Sequence, residues 1–268
     1  AGCRDRGMSR CLALVPAAGG GSRMGADRPK QYLDLAGAPL LAHTLRRLLA
    51  EPRLARVLVV LAPDDVWFDR FDWPRDVRLE ILRVGGATRA ESVRNGLLHA
   101  GAAADDWVLV HDAARCMITP THITRLMHSC QHDAVGGLLA LPLPDTLKAQ
   151  QPNETASTTP RVAATLPRGD KWLAQTPQMF RLGLLLQALE QGLQQAPEHI
   201  TDEASAMEAM GFHPRLVPGG AQNFKVTYPD DFALAAAVLA QRTHSTTLER
   251  FGGERGQVNT APGKKNLF

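Results

Sequence analysis

The chain has 268 residues, of which 44% are hydrophobic and 21% charged, and its formal net charge is +3 at pH 7. This length and composition are ordinary for a globular protein, and one large α/β domain is the simplest division. The weak positive charge, with scattered Lys and Arg, argues against nucleic-acid binding. No apolar run approaches the ~18 residues of a membrane span, and we find no convincing signal-peptide cleavage site. The composition therefore predicts a cytoplasmic protein without membrane or nucleic-acid partners.

The first half of the chain alternates short apolar runs with helical patterns. Helices are predicted at Leu40–Leu49 and Arg89–Ala100, and strands at Leu12–Val15, Arg56–Leu61, Leu79–Val84, Trp107–Val110 and Ala134–Leu141. Strands separated by helix-length segments indicate parallel βαβ units with right-handed crossovers. We therefore predict an α/β, Rossmann-like fold: a mostly parallel sheet with helices on both faces. Ligands of such sheets bind beyond the carboxyl ends of the strands.

The second half begins with a proline-rich segment, residues 142–177, which is too long for an ordinary connection. We interpret it as a protruding β-arm, built as a hairpin, that contacts a partner subunit. The elements predicted after it are helices at Leu182–Gln194, Asp202–Met210 and Asp230–Arg242 and a short strand into Asn223–Val226. Residues 1–242 are then a single domain, and residues 243–268 are expected to be a disordered tail because they lack periodicity.

Three successive glycines, Gly19–Gly21, follow the first predicted strand. Backbone N–H groups in such a stretch can turn toward an anion without obstruction by side chains. Arg23 and Lys30 add two positive charges near this loop. The pattern matches neither a Walker A loop nor a dinucleotide-binding fingerprint in its usual context. It predicts an anion site, and the alternative is a flexible turn with two solvated cations.

Two further segments also follow predicted strands directly. Gly85 and Gly86 open a helix, which suits a base or a phosphate, and Ser92 can add a hydroxyl contact. The alternative is a plain turn in which Thr88 caps the helix. Because the carboxyl ends of parallel strands share one edge of the sheet, this loop should lie beside the first glycine loop.

The third segment is His111–Arg115, at the end of the strand Trp107–Val110. Asp112 is a candidate for binding Mg²⁺ or a ribose hydroxyl, and Arg115 a candidate for binding phosphate. The alternative is a local salt bridge between these two residues. His111 is more consistent with a packed histidine than with a base, and Lys225 is either an edge residue or a cation aimed into the site.

Together these segments closely resemble the 2-C-methyl-D-erythritol 4-phosphate cytidylyltransferase family over about Leu12–Arg242. The matching blocks are Val15–Gly19 with Ser22–Met24, Pro29–Tyr32, Gly85–Gly86 with Arg89–Val93, His111–Arg115, Asp145–Thr146, Thr176–Gln178, Thr201–Ser205 and Lys225–Thr227. The glycine loop alone places the chain only among nucleotidyltransferases, and the later blocks indicate the substrate.

The resemblance implies a nucleotidyltransferase fold and a reaction of CTP with 2-C-methyl-D-erythritol 4-phosphate. The products would be 4-diphosphocytidyl-2-C-methyl-D-erythritol and pyrophosphate, on the non-mevalonate route to isoprenoid precursors. It also implies a homodimer joined through the 142–177 arm, so that Thr146 and Arg168 serve the partner's site. Mg²⁺ or another divalent cation would be held mostly by the CTP phosphates, with Asp112 as the one candidate protein ligand.

The resemblance also assigns roles to individual residues. Those implied in catalysis are Arg23, Lys30, Lys225 and Asp112. Those implied in nucleotide binding are Pro16, Ala17, Ala18, Gly19, Gly20, Gly86, Ser92, Asp112 and Ala113. Those implied in binding methylerythritol phosphate are Arg115, Thr146, Arg168, Thr176 and Lys225.

The chain departs from the family pattern at two positions. Ala87 stands where a polar residue often follows the glycines, and Cys116 replaces a usual proline. The four cysteines form no Cys-x-x-Cys pair or zinc spacing, so we expect reduced thiols. Cys116 is nevertheless a candidate for oxidation because it lies near the predicted anion site.

Three other functions fit part of the pattern. The chain could act on another polyol phosphate, such as ribitol 5-phosphate, or use another nucleotide. It could be a GT-A-like glycosyltransferase, although Asp64-Asp65 and Asp105-Asp106 lack the Asp-x-Asp spacing that this class needs for its metal. It could also be a nucleotide-binding regulator without activity, which would tolerate the loss of Arg23 and Lys30.

Overall fold

The computed structural model describes residues 9–19, 28–152 and 159–251, with side chains described as far as Arg242. The predictions for Gly20 and Arg23 lie outside the described residues, as do residues 252–268 of the predicted tail.

Eleven strands and six α-helices alternate along these residues. The strands are β1 (Cys11–Pro16), β2 (Asp34–Leu35), β3 (Ala38–Pro39), β4 (Leu54–Val60), β5 (Leu79–Leu82), β6 (Trp107–Val110), β7 (Gly136–Pro142), β8 (Leu147–Gln150), β9 (Val162–Leu166), β10 (Trp172–Arg181) and β11 (Arg215–Pro218). The helices are α1 (Leu40–Leu49), α2 (Arg89–Leu98), α3 (Pro120–Cys130), α4 (Leu182–Gln195), α5 (Glu203–Ala209) and α6 (Pro229–Phe251). No helix within the described ranges combines the length and the apolar character needed to cross a membrane.

A seven-stranded sheet in the order β11-β7-β10-β6-β1-β4-β5 forms the centre of the fold. Strand β1 pairs in parallel with β4 and β6, β4 with β5, and β7 with β11. Only β10 runs against its neighbours, between β6 and β7. The predicted mostly parallel α/β sheet is therefore confirmed, with one antiparallel strand inserted.

The core lies on both faces of this sheet because strand side chains point alternately to opposite sides. Ala13 and Val15 of β1 pack in one cluster with α1 and α3, and Leu12 and Leu14 pack in a second cluster with α2, α4 and α5. A third cluster joins α6 to residues that follow β6. The runs that are apolar on both faces thus mark the central strands, as parallel sheets require.

Several elements differ from the sequence-based predictions. The strand expected at Asn223–Val226 is an irregular segment, because the Val226 N–H bonds to the carbonyl of Ala114 rather than to a neighbouring strand. The strand that pairs in parallel with β7 is β11, which lies earlier in the chain than the predicted strand. Helix α3 was absent from the predicted elements, and α6 continues beyond the predicted end at Arg242, into the expected tail.

The predicted arm, residues 142–177, divides between two sheets. Its end from Trp172 onward belongs to β10 in the central sheet. Strands β8 and β9 pair antiparallel in a separate two-stranded sheet, and every residue of β9 is exposed. Antiparallel pairing is what a hairpin requires, whereas the protruding arm and its contact with a partner subunit stay predictions.

Candidate active site

An open cleft of ≈ 410 Å³ lies at the carboxyl ends of β1, β5 and β6. The three segments that we expected at one edge of the sheet meet there. The lining residues are Pro16, Ala17, Ala18 and Gly19 after β1, Gly86, Ala87, Thr88, Arg89 and Ser92 after β5, Asp112, Ala113 and Ala114 after β6, and Lys30, Gln31 and Lys225. The cleft therefore collects the described residues predicted to bind nucleotide.

The first two loops lie against each other without room for a side chain at Gly85. A Cβ atom at that position would be 2.3 Å from the Cβ of Ala18, so only glycine allows this approach. Thr88 and Glu91 form a capping box at the start of α2. Ser92 accepts from the Gly86 N–H at 3.1 Å and donates to the Thr88 carbonyl at 2.9 Å. The predicted cap and the glycine loop are thus parts of one rigid turn.

Lys30 is positioned by the two residues that follow it in a single 3-10 turn. The buried Gln31 amide donates to the Ala17 carbonyl at 2.7 Å. The Tyr32 hydroxyl donates to Asp65 at 2.6 Å, and its fully buried ring stacks on Phe71. The Lys30 ammonium donates to the Val226 carbonyl at 2.6 Å, next to Lys225. These bonds fix the lysine at the cleft although no long helix or strand carries it.

A chain of alternating charges runs from behind the cleft to its lining. Arg89 donates from Nε to Asp112 Oδ1 at 3.0 Å, and its two terminal nitrogens bind both oxygens of Glu203 at 2.7 and 3.1 Å. Asp112 Oδ2 lies 3.1 Å from Lys225 Nζ and 3.5 Å from Arg115 Nε. The Asp112 carboxylate is therefore shared by three cations.

Burial and pairing act in opposite directions on these groups. Burial alone would raise the pKa of Asp112, but Arg89, Lys225 and Arg115 hold that pKa well below its usual range. Burial likewise opposes the charge of Arg89, and Glu203 and Asp112 raise the pKa of Arg89 above its usual value. Both groups consequently stay charged at neutral pH.

His111 is a structural residue rather than a base. Its Nε2 faces the Arg115 carbonyl at 3.1 Å and must carry the proton there, so Nδ1 accepts from the Thr176 hydroxyl at 2.9 Å. The same hydroxyl accepts from the Asp112 N–H at 3.0 Å. Burial lowers the pKa of His111 to about 4. The ring is thus neutral with both nitrogens occupied, in agreement with the packed histidine that we predicted.

The residues predicted to bind methylerythritol phosphate are dispersed in one chain. Lys225 lines the cleft. Arg115 and the buried Thr176 do not line it and contact Asp112 from the side away from the cleft. Arg115 also donates to the Asn223 carbonyl at 2.8 Å. Thr146 and Arg168 are exposed outside the cleft, in the segment that carries β8 and β9, where Arg168 donates to the Pro144 carbonyl. A single chain therefore brings only part of this set together.

The residues of the cleft do not fit a metal ion held by the protein. Both oxygens of Asp112, the one predicted ligand, are paired with cations. No group of three or more His, Cys, Asp or Glu side chains suited to a metal occurs within the described part of the chain.

The buried cysteines are not reactive thiols. Cys11, Cys116 and Cys130 are buried free thiols, and burial raises the pKa of each to about 12. The expectation that Cys116 is sensitive to oxidation is therefore wrong, because its sulfur lies in an apolar cluster with α6 rather than at the cleft.

Iodoacetamide at neutral pH should accordingly leave these three thiols unmodified in the folded protein, since the thiolate is the reacting species. After unfolding, all three should be modified. Peptide mass spectrometry of both samples checks this expectation, and rapid labelling of Cys116 in the native protein would contradict it.

Sequence reasoning assigned no role to Arg89 or Glu203, although both lie in matched blocks. Arg89 is the first residue of α2, where the helix dipole disfavours a cation. A cation at the start of a helix therefore indicates that carboxylates from other segments stabilise Arg89. Glu203 gave no such signal, because an acidic residue in the first turn of a helix is common.

The sheet is mostly parallel, and glycine turns and fixed cations surround a cleft at the carboxyl ends of its strands. This arrangement is the one expected of an α/β nucleotidyltransferase. The family model described as IspD, 2-C-methyl-D-erythritol 4-phosphate cytidylyltransferase, matches residues 11–241. The chain belongs to this family.

Curated relatives agree with this membership. The chain is 75% identical over 232 residues to the 2-C-methyl-D-erythritol 4-phosphate cytidylyltransferase of Laribacter hongkongensis, covering 87% of this chain and 97% of the relative. It is 56% identical over 231 residues to the protein of that name from Chromobacterium violaceum, covering 86% and 98%. A crystal structure of the Francisella tularensis cytidylyltransferase superposes with a TM-score of 0.72 at 32% identity, covering 86% of this chain and 100% of the other.

Proposed function

We propose that this protein is a cytidylyltransferase that forms 4-diphosphocytidyl-2-C-methyl-D-erythritol and pyrophosphate from CTP and 2-C-methyl-D-erythritol 4-phosphate. It would act in the cytoplasm, in the synthesis of isoprenoid precursors. The observation that carries the proposal is the meeting of the matched loops after β1, β5 and β6 with Lys30 and Lys225 around one cleft at the carboxyl edge of the sheet. Family membership favours this acceptor over ribitol 5-phosphate and favours nucleotidyl transfer over glycosyl transfer.

The reaction needs no general base. An oxygen of the acceptor phosphate attacks the α-phosphorus of CTP in line, and the bond to the departing pyrophosphate breaks with its electron pair. A phosphate monoester is already an anion at neutral pH, so no proton has to be removed. This chemistry fits a cleft in which His111 is buried and neutral. Rate enhancement would come from positioning and from stabilisation of negative charge.

The cations around the cleft have different proposed tasks. Lys30, together with Arg23, would stabilise charge on the α-phosphate and on pyrophosphate. Lys225 would bind and orient the acceptor phosphate, and Asp112 would hold Lys225 in place. Arg115 and Thr176 touch Asp112, and their contribution to acceptor binding would pass through it. Backbone and side-chain groups of the two glycine turns would hold the nucleotide.

Mg²⁺ would enter as part of the nucleotide substrate. Its charge would offset that of the triphosphate, whose oxygens supply the ligands that this ion prefers. The protein's share would be to bind the complex, with Lys30 and the loop after β1 around the phosphates.

The acceptor site is proposed to be completed by a second copy of the chain. Thr146 and Arg168 are exposed and lie outside the cleft of their own chain. We infer a homodimer in which the 142–177 arm brings both residues to the neighbouring cleft. Residues 1–242 would form the single catalytic domain of each subunit.

Pyrophosphate release tests the function directly. The protein is incubated with CTP, Mg²⁺ and methylerythritol 4-phosphate, in parallel with ATP, GTP, UTP and ribitol 5-phosphate. Release with CTP and the methylerythritol compound alone supports the proposal. Release with another pair would keep the chemistry but refute the substrate, and no release with any pair would favour a binding protein.

Arg168→Ala should mainly raise the KM for methylerythritol phosphate, because the lost guanidinium is proposed to bind the acceptor across the dimer. Steady-state kinetics with each substrate varied in turn measures this effect. Mixing Arg168→Ala with a Lys30→Ala variant should restore activity, since a mixed dimer contains one site with both residues intact. An unchanged KM and kcat in Arg168→Ala would refute the role, and failure of mixing would refute the exchange of arms.

A further inference from the structure

Glu203 is a carboxylate in an unusual place. It is the first residue of α5 and is 0% exposed. The helix does not need it as a cap, because Asp202 and Ser205 already form the capping box. A fully buried charge is costly unless a partner offsets it. The side chain therefore points to a task beyond starting the helix.

That task involves Arg89, which Glu203 binds with both oxygens. A guanidinium is a rigid planar fork, so fixing its two terminal nitrogens also fixes the direction of Nε. The Nε of Arg89 donates to Asp112 Oδ1. Glu203 thus determines where Arg89 meets Asp112, although Glu203 itself lies behind the cleft.

The second oxygen of Asp112 connects the contact between Glu203 and Arg89 to Lys225 in the cleft. With Oδ1 held by Arg89, the carboxylate plane is set and Oδ2 faces the ammonium of Lys225 at 3.1 Å. Lys225 is the exposed end of this path, with 41% of its side chain accessible to solvent, and it lines the cleft. An accessible lysine side chain has many rotamers, and Asp112 selects one of them.

We propose that Glu203 is a positioning residue that acts through Arg89 and Asp112 to place the Lys225 ammonium in the cleft. This inference rests on the proposed function, in which Lys225 binds the acceptor phosphate. Loss of the Glu203 charge leaves Arg89 with Asp112 as its remaining carboxylate partner. Asp112 then turns toward Arg89, and Lys225 is released from its single orientation.

The test compares Glu203→Gln with a matched variant, Glu51→Gln. Glu51 is also buried and binds Arg53 with both oxygens, at 2.7 and 2.9 Å, but it lies before β4 at the opposite edge of the sheet. Both variants should be less stable toward urea. Only Glu203→Gln should lower kcat and raise the KM for methylerythritol phosphate, each by up to about 10²-fold, because misplacing a group by about 1 Å can cost that much.

A second readout does not depend on turnover. Acetylation of Lys225 by acetic anhydride, followed by mass spectrometry, should be faster in Glu203→Gln than in the unmodified protein and unchanged in Glu51→Gln. Equal labelling in all three proteins would overturn the positioning role. Absence of pyrophosphate release by the unmodified protein would instead overturn the proposed function and leave this readout intact.

Arg89→Lys covers the case in which Glu203→Gln does not fold. The lysine keeps the charge but lacks the fork that joins Glu203 to Asp112. The same changes in kcat, KM and Lys225 labelling are expected. A folded Arg89→Lys protein with unaltered kinetics and labelling would overturn the inference.

Discussion

Lys30→Ala is expected to lower kcat by at least about 10²–10³-fold, the usual cost of removing one preorganised charged donor from a transition state. The ammonium lies at the cleft and is held by the Val226 carbonyl, so little reorganisation is needed when negative charge develops on the phosphates. Arg23→Ala should have an effect of the same size. Turnover is measured as pyrophosphate release at saturating CTP and methylerythritol phosphate.

Two variants make the Lys30 result specific. Arg46→Ala removes an exposed cation from the last turn of α1, away from the cleft, and should leave kcat unchanged. Lys30→Arg keeps a charge and should retain more activity than Lys30→Ala. Circular dichroism should show an intact fold for each protein. Near-normal turnover in a folded Lys30→Ala protein would refute the role of this lysine.

Much of the sheet could be predicted because its signal is local. Helix α1 and strand β6 have the bounds that the apolar pattern indicates, Leu40–Leu49 and Trp107–Val110. The convergence of three loops at one edge followed from parallel strand order alone. Both predictions depend on burial patterns that a short segment carries by itself.

Strand β10 could not be predicted in this way. It contains Pro177, which cannot donate to a ladder, and its pairing with β7 is irregular between Ala174 and Gln178. Its place between β6 and β7 is decided by tertiary packing. Helix α3, by contrast, had a readable start in the Thr119 cap followed by Pro120.

In the site, too, features with a local sequence signal could be predicted, and features that depend on tertiary packing could not. Glycines beside Lys30 predicted an anion site from local chemistry, and Lys30 does line the cleft. Arg89 and Glu203 are 114 positions apart in the sequence, and neither segment carries a pattern that predicts their contact. Contacts of this kind arise only when α2 and α5 pack on the same face of the sheet.

Asp112→Asn should damage both stability and activity. Asparagine preserves the shape but removes the charge that Arg89, Lys225 and Arg115 share. Removing one partner of a buried ion pair typically costs about 3–5 kcal/mol of unfolding free energy. Because Lys225 also loses its anchor, kcat should fall by about 10²-fold or more. Urea unfolding and pyrophosphate release measure the two effects.

Asp106→Asn is the matched control, because Asp106 is a buried carboxylate just before the same strand, β6, at the end away from the cleft. It accepts from the N–H groups of Arg10 and Ala103. This control should lose stability but keep its kcat. A folded Asp112→Asn protein with the kcat of Asp106→Asn would show that the shared carboxylate is structural only.

The pH dependence of stability provides an independent check on Asp112. Its cation partners depress its pKa in the folded state, so its stabilising contribution is complete above the ordinary aspartate pKa of about 3.9. That contribution is lost as pH falls from there toward the folded-state pKa, because the unfolded chain takes up the proton first. The difference in unfolding free energy between the unmodified protein and Asp112→Asn should therefore be constant near neutral pH and shrink in acid. A difference that grows in acid would mean that Asp112 is not the carboxylate that these cations hold ionised.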